Sequence, residues 1–419
     1  MHVLPRVREL EERFADSVTV IGVHAGKFAT ERHTERIAEA CDRLGVVHAV
    51  VNDRQFRVWR DYAVQAWPTV AVIDPEGYVA VVEPGEFDVE EMAGEIERIA
   101  ARARSRGTLM PGPDPVASTL ERHTGPLRFP TRAVVEGRSL WIADTGHGRV
   151  LECAWDASQH AASIVSEYAG FVEPRGLAAL DGRMYVADRG GHQVWRLEGG
   201  ERVNVAGTGR IGDYAIAAGP ALSADLRSPW GLSPRGGMLA IAMAGTHQLW
   251  TLDTADGDLR LLAGAGGENI ADGPLERAAL AQPTGLALLP LGSLALADCE
   301  TSAVRIADDA EVMTLVGTGL FEFGDRDGVG DEVLLQHCED VASHGAALAV
   351  ADTYNDRIKR VDPLTRGCGP WPGEAGESGA VREPGGVWSD GSTLLVADTG
   401  HHRIVTVAGD GALTEVRLS

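Results

Sequence analysis

The pattern of apolar and polar positions divides the chain near residue 105. Before that point, stretches with apolar residues at helical spacing alternate with short apolar runs typical of strands. Such alternation is characteristic of an α/β layer structure. The strands are predicted over 18–24, 46–51, 68–74 and 78–82, and the helices over 1–14, 30–44, 55–63 and 88–104.

From residue 126 the pattern becomes a repeat. Six segments share an anchor, usually proline, then a short apolar strand, and then a second strand that ends in Ala-Asp or its equivalent. We call the last residue of this second strand the corner. The corner lies 14 residues after the anchor in five segments and 15 residues after it in the fourth. The six pairs are Pro130 with Asp144, Pro174 with Asp188, Pro229 with Met243, Pro283 with Asp298, Cys338 with Asp352, and Pro384 with Asp398. Repetition near 50 residues without a helical pattern predicts a β-propeller with six blades of four strands.

The predicted domain organisation is therefore an α/β domain over 1–105 and a propeller over 126–419. Residues 106–125 are rich in Pro and Gly and lack a periodic apolar pattern. This composition is typical of a linker.

Charge and composition narrow the classes of function. The net charge of −23 opposes binding to nucleic acid and to anionic membrane surfaces. No apolar run reaches the roughly 18 residues that a membrane-spanning helix needs. The five cysteines are odd in number and scattered, which predicts neither a disulfide framework nor a zinc site and favours the cytoplasm. We expect no cofactor, no nucleic-acid partner and no membrane partner.

The second half resembles the NHL repeats. The matching pattern is Val-Ala-Asp, four further residues and Arg-Ile or Arg-Val, clearest at 350–358 and 396–404. The third segment departs from it with Met243 and Gln248, and the fourth with Ala303 in place of the arginine. The resemblance implies an NHL-type six-bladed propeller.

The first half has a second resemblance. Leu4 and Pro5 open an amphipathic helix, and Trp67-Pro68-Thr69 precedes the apolar run 70–73. Together with the repeats, these motifs resemble the thioredoxin-like plus NHL-repeat proteins of the NHL-repeat-containing protein 2 type. That family carries Cys-Cys-x-x-Cys directly before the Leu-Pro helix. The resemblance therefore implies an incomplete thioredoxin-like domain, truncated just after the cysteine pair, with its first strand and cysteines upstream of Met1.

The same resemblance assigns a place to Trp67, Pro68 and Thr69. They would form the cis-proline region that faces the absent Cys-x-x-Cys, so no catalytic residue is expected in the chain as given. The alternative is a purely structural proline turn. Cys41 lies mid-helix among apolar residues and is expected to be a buried filler.

The repeated carboxylates are expected to be structural. Singly they resemble catalytic acids, but as a set they occupy one repeat position, where arginines five residues later can pair with them. The aspartates are Asp144, Asp188, Asp298, Asp352 and Asp398, and the arginines are Arg149, Arg357 and Arg403.

Three further patterns carry a functional alternative. Histidines recur just after the corner and could hold a metal, although turn positions of the repeat explain them as well. They are His147, His192, His247, His401 and His402. The run 207–212 matches Gly-x-Gly-x-x-Gly but opens no helix, so no dinucleotide site is expected. The run 325–331 resembles a calcium loop with poor glycine spacing. The sequence predicts no metal site.

Three functions remain open. The first is a scaffold that binds a protein partner on a propeller face, without redox chemistry in this chain. The second is a thiol–disulfide oxidoreductase or redox sensor with its cysteines upstream. The third and weakest is a metal-dependent propeller lyase or lactonase.

Overall fold

The computed structural model describes residues 3–112 and 123–419. They form two compact units that divide between His123 and Thr124. Half of the predicted linker, residues 113–122, lies outside the described residues.

The first unit contains four α-helices and two small sheets within its described residues. Every element predicted for this half is present, although two strands begin three residues late (21 against 18, and 49 against 46). The elements are α1 Val3–Arg13, β1 Ile21–His24, α2 Thr34–Leu44, β2 Ala49–Asn52, α3 Arg57–Asp61, β3 Thr69–Ile73, β4 Val79–Pro84 and α4 Val89–Arg106. β1 pairs in parallel with β2, and β3 pairs antiparallel with β4. No ladder joins the two pairs in the described residues. The thioredoxin-like assignment stays a prediction.

The core of the first unit lies between its terminal helices and the β3–β4 hairpin. Asp88 caps α4 by accepting from the Glu91 backbone N–H at 2.9 Å. This places Met92 and Ile96 on the buried face of α4, where they cluster with Leu10 of α1. The helical spacing of apolar residues in α1 thus becomes a packed face.

The second unit is a six-bladed propeller, counted over its described residues, as the repeat predicted. Each blade has four antiparallel strands in chain order from the inside outwards, and some carry a fifth, short edge strand. Blade 1 consists of β5 Pro130–Glu136, β6 Ser139–Asp144, β7 Arg149–Asp156 and β8 Ala161–Ala169. Blade 2 consists of β9 Pro174–Leu180, β10 Arg183–Asp188, β11 Gln193–Glu198 and β12 Glu201–Ala206.

The next two blades each begin with an edge strand contributed by the loop from the preceding blade. Blade 3 consists of β13 Gly219–Pro220, β14 Pro229–Arg235, β15 Met238–Met243, β16 Gln248–Leu252 and β17 Asp258–Ala263. Blade 4 consists of β18 Gly273–Pro274, β19 Pro283–Leu288, β20 Leu294–Asp298, β21 Ala303–Ala307 and β22 Glu311–Val316.

The last two blades complete the ring. Blade 5 consists of β23 Gly328–Val329, β24 Asp340–His344, β25 Ala347–Asp352, β26 Arg357–Val361 and β27 Gly367–Pro370. Blade 6 consists of β28 Gly386–Ser389, β29 Leu394–Asp398, β30 Arg403–Val407 and β31 Leu413–Glu415. The final strand, β32 Arg417–Leu418, pairs in parallel with β8 at the outer edge of blade 1.

The apolar core lies between the blades. A cluster of buried aliphatic and aromatic side chains fills each junction, for example Tyr185 of blade 2 against Leu239 and Trp250 of blade 3. Inner strands approach closely because glycines occupy them: a Cβ on Gly231 would lie 1.9 Å from the Thr284 carbonyl oxygen of the next blade. This packing explains the glycine that stands two residues after the anchor in four of the six blades.

Candidate functional site

The candidate site is the end of the propeller at which the inner strands begin. It contains the six anchors, the turns that follow the second strands, and the loops that enter each blade. We call it the anchor face. The repeated aspartates lie beneath this face, buried at the ends of the second strands.

The corner aspartates fasten the loop that enters each inner strand. Each accepts a hydrogen bond from the backbone N–H two residues before the anchor of its own blade. The donors and distances are Arg128 to Asp144 at 2.7 Å, Val172 to Asp188 at 3.0 Å, Ala281 to Asp298 at 2.7 Å, Gln336 to Asp352 at 2.7 Å and Arg382 to Asp398 at 2.7 Å. These carboxylates thus fix backbone donors of their own blade, and their purely structural role stays a prediction.

The arginines expected beside the corners follow the repeat in two blades. Arg149 and Arg403 donate through Nε to Asp144 and Asp398 at 2.7 Å. Arg357 does not reach Asp352, and this expectation was wrong. Its guanidinium binds Asp325 at 3.0 Å, while Asn355 donates to Asp352 at 2.8 Å.

Blade 4 supplies its arginine from a different position. Ala303 stands where the repeat has arginine, but Arg305, two residues later and fully buried, donates to Asp298 at 3.0 Å. It also donates to Asp272 at 3.0 Å. Burial raises the pKa of Asp298, while the Arg305 charge lowers it. Sequence reasoning missed this residue, although its alternation with Ala303 on a strand was a usable signal.

A lysine from a neighbouring strand lies between two carboxylates of the run 325–331. Lys359, almost fully buried, donates from Nζ to Asp325 at 2.7 Å and to Asp327 at 2.6 Å. The ammonium occupies the place between the two carboxylates that a calcium ion would need. No group of three or more His, Cys, Asp or Glu suited to a metal occurs among the described residues.

The histidines of the repeat have two kinds of partner. His147 and His401 lie with Nδ1 2.7 Å and 2.9 Å from Asp144 and Asp398. His192, His247 and His402 instead accept backbone N–H groups of the next blade. The structure therefore distributes these rings around the blade junctions instead of bringing them together.

Threonines after the corners join neighbouring blades. Thr145 donates to the Pro174 carbonyl oxygen at 2.6 Å, and Thr399 donates to that of Pro130 at 2.7 Å. Thr353 donates to the Pro384 carbonyl oxygen at 2.9 Å. Each threonine thus reaches the anchor of the following blade, so the anchor face is held by hydrogen bonds as well as by the apolar core.

The mouth of the central channel opens in the middle of this face. Arg175 of blade 2 reaches across to Glu339 of blade 5 at 3.1 Å and also binds Glu173 at 3.0 Å. Arg189 also pairs with Glu173. The Trp230 ring lies 4.6 Å from the Arg175 guanidinium carbon. The mouth thus combines a cation–π contact with paired charges.

Electrostatics within the mouth favour the charged form of Glu173. Burial by itself would raise the pKa of Glu173, but the charges and hydrogen bonds of Arg189 and Arg175 outweigh it and lower this pKa to about 2. Further down the channel, Arg132 of blade 1 pairs with Asp340 of blade 5. The other four inner strands have glycine at this position. Arg132 donates a hydrogen bond to the Val387 carbonyl oxygen, and Asp340 accepts one from the Val387 backbone N–H.

Exposed apolar side chains lie on the loops that enter blades 2, 3 and 5 on this face. Tyr214 is 58% exposed and Phe321 is 73% exposed, and Val172 and Ile211 also face solvent. The Arg227 guanidinium carbon lies 4.1 Å from the centre of the Tyr214 ring, which holds that ring against the face. Tyrosine, tryptophan and arginine are the residues most often found in binding hot spots.

In the first unit, the expected cis-proline region lies beside an aromatic cluster. The Trp67–Pro68 peptide is cis, and Trp67 donates from Nε1 to the Ala25 carbonyl oxygen at 2.8 Å. Its ring lies 4.5 Å from that of Trp59. Thr69 donates to the Ala66 carbonyl oxygen at 2.8 Å. Cys41 is buried in α2, and burial raises the pKa of its thiol.

No helix among the described residues is long and apolar enough to cross a membrane. No protein-family model matches the chain.

Similarity to known proteins extends over most of the chain. The human protein "NHL repeat-containing protein 2" is 32% identical over 96% of this chain, which spans 64% of the human protein. "Protein SUPPRESSOR OF QUENCHING 1, chloroplastic" of Arabidopsis thaliana is 32% identical over 96% of this chain, which spans 42% of that protein. Among solved structures, virginiamycin B lyase of Staphylococcus aureus covers 69% of this chain and 84% of its own, at 14% identity and a TM-score of 0.44.

Proposed function

We propose, on the premise that this chain carries an NHL-repeat propeller and is similar to NHL repeat-containing protein 2, that it is a binding scaffold whose protein partner docks on the anchor face. The observation that carries the proposal is the set of exposed apolar side chains on the loops of the anchor face. Loops on a rigid scaffold can carry exposed binding residues, because the cores of the blades hold the fold in place.

The chemistry of this face fits a protein surface. Tyr214 and Phe321 supply large apolar area, and Arg227 beneath Tyr214 limits the freedom that the ring would lose on binding. Arg175 and Trp230 lie at the centre, surrounded by paired carboxylates. Aromatic side chains can supply most of the affinity for a partner, and charged groups can orient it.

Photocrosslinking tests the proposal. A benzoylphenylalanine placed at Tyr214 or at Phe321 should give discrete protein adducts in the native host. The matched control is Leu364, which is 90% exposed but lies in the turn between β26 and β27, at the opposite end of blade 5. Adducts of the same identity and yield from Leu364, or none from the anchor-face positions, contradict the proposal.

We also infer a thioredoxin-like origin for the first unit. Its order of elements, a parallel β1–α2–β2 crossover followed by an antiparallel hairpin and a terminal helix, supports this assignment. Redox chemistry in a longer protein is the second function, and Trp67, Pro68 and Thr69 would lie nearest to it. A cytoplasmic location is proposed from the scattered cysteines, all five of which are free thiols.

A further inference from the structure

Neighbouring blades share a backbone hydrogen bond that the repeat places at the same point. The residue just before five of the six anchors has a positive φ, between 42° and 59°, and donates its N–H to the side chain that ends the corner turn of the preceding blade. The pairs are Phe129 to His402 at 3.0 Å, Ser228 to His192 at 3.2 Å, Gln282 to His247 at 3.1 Å, His337 to Ser302 at 3.0 Å and Glu383 to Asp356 at 2.8 Å.

The acceptors differ in how they respond to protons. A serine hydroxyl does not titrate in the ordinary range, and the ordinary pKa of an aspartate, about 3.9, lies well below that of a histidine, about 6.5. A histidine that accepts a backbone N–H through Nδ1 must be neutral and carry its proton on Nε2. Protonation at Nδ1 replaces the lone pair with a second donor, so the hydrogen bond is lost.

His247 has the best-defined surroundings of the three histidines. It is 9% exposed, and the charged groups that act on it are Glu268, Glu300 and Arg227. Burial is the largest influence and lowers the pKa of His247, with Arg227 acting in the same direction and the two glutamates opposing it. The neutral ring that the geometry requires is therefore also the form that its surroundings favour.

We propose that His247 is an acid-sensitive latch between blades 3 and 4, which holds the Gln282 N–H when neutral and releases it when protonated. The unfolded or opened chain takes up the proton more readily than the closed junction does. Closure of this junction is therefore fully stabilised above the ordinary histidine pKa of about 6.5 and weakens as the pH falls below it. The junction lies on the anchor face, so its opening rearranges the loops that enter blade 4.

The unchanged protein contains its own control. Hydrogen–deuterium exchange at single-amide resolution, corrected for intrinsic rates, is measured at about pH 7.5 and about pH 5.5. The Gln282 amide, held by His247, should lose protection on acidification by at least about threefold more than the His337 amide, held by Ser302. Equal changes at the two amides overturn the proposal.

Variants copied from the other junctions separate the latch from general acid effects. His247→Ser follows Ser302, and His247→Asp follows Asp356, both of which have a similar positive φ. In either variant, protection of Gln282 should change no more with pH than that of His337. His147→Asn, which removes a ring bound to a carboxylate, should leave the pH response of Gln282 intact. Persistence of the wild-type response in both His247 variants overturns the proposal.

Discussion

The Phe129 backbone N–H donates to Nδ1 of His402 at 3.0 Å, and the two rings lie 4.3 Å apart in an edge-on contact. This one contact joins the first blade to the last, across 273 positions of sequence. It accompanies the pairing of β32 with β8 at the outer edge of the same junction. Together with the Thr399 hydrogen bond to Pro130, it closes the ring on the anchor face, while a strand closes the ring at its rim. Blade 1 nevertheless takes all four of its main strands from one continuous segment.

His402→Ala should therefore lower the free energy of unfolding of the propeller by about 1–2 kcal/mol, because a buried backbone donor loses its acceptor. His402→Asp, which copies Asp356, should retain most of the stability at neutral pH. Urea unfolding of the two variants measures the difference. Equal stability of His402→Ala and the unchanged chain would show that the closing hydrogen bond contributes nothing.

Arg305→Leu should destabilise the propeller by about 3–5 kcal/mol, because it leaves Asp298 charged and buried without its main counter-charge. Blade 3 shows that a blade can form without this charge pair, because Met243 stands at its corner and Trp250 at the position of Arg305. The double variant Asp298→Met with Arg305→Leu should recover a large part of the loss. A double variant as unstable as the single one contradicts this explanation.

Glu173 should make the propeller sensitive to strong acid. Its pKa is lowered from 4.5 to about 2 in the folded chain, so its contribution, on the order of 3 kcal/mol, is complete above pH 4.5 and disappears as the pH falls towards 2. The free energy of unfolding, measured at a series of pH values, should fall less steeply below pH 4.5 for Glu173→Gln than for the unchanged chain. An equal pH dependence of the free energy of unfolding in the two proteins would refute this role of Glu173.

The chain as given should not reduce insulin disulfides. All five thiols are buried, and burial raises the pKa of each, to about 11 for Cys153 and about 12 for Cys368. The thiolate is the reactive form, so little of it exists at neutral pH. Turbidity above a control without protein, if it disappears in Cys41→Ala, would show that the first unit has a reactive thiol after all.

Sequence alone predicts the propeller because each blade repeats the same local rule. Anchor, glycine and Ala-Asp corner recur at fixed spacing, and each is needed by a contact within the blade or with its neighbour. The contacts that break the rule were not predictable in this way. Arg305 acts from a position shifted by two residues, and Arg357 binds a loop carboxylate instead of the corner.

The channel mouth shows the same limit more strongly. Arg175 and Glu339 belong to blades on opposite sides of the ring, and Arg132 and Asp340 meet across blade 6. Each pair joins residues far apart in sequence, so only the closed ring brings them together. In the first unit, the alternating pattern predicted every element, but the relation between the β1–β2 and β3–β4 pairs depends on long-range packing that no local pattern encodes.

The most direct test of the scaffold proposal is an affinity measurement on the partner that crosslinking identifies. Titration calorimetry with the purified partner should show binding at least about tenfold weaker for Tyr214→Ser and for Phe321→Ser. Such a loss is expected of aromatic side chains that become buried in the complex. Leu364→Ser, at the opposite end of blade 5, should bind as the unchanged chain does. Affinities unchanged in both anchor-face variants, or reduced equally by Leu364→Ser, would contradict a binding site on the anchor face.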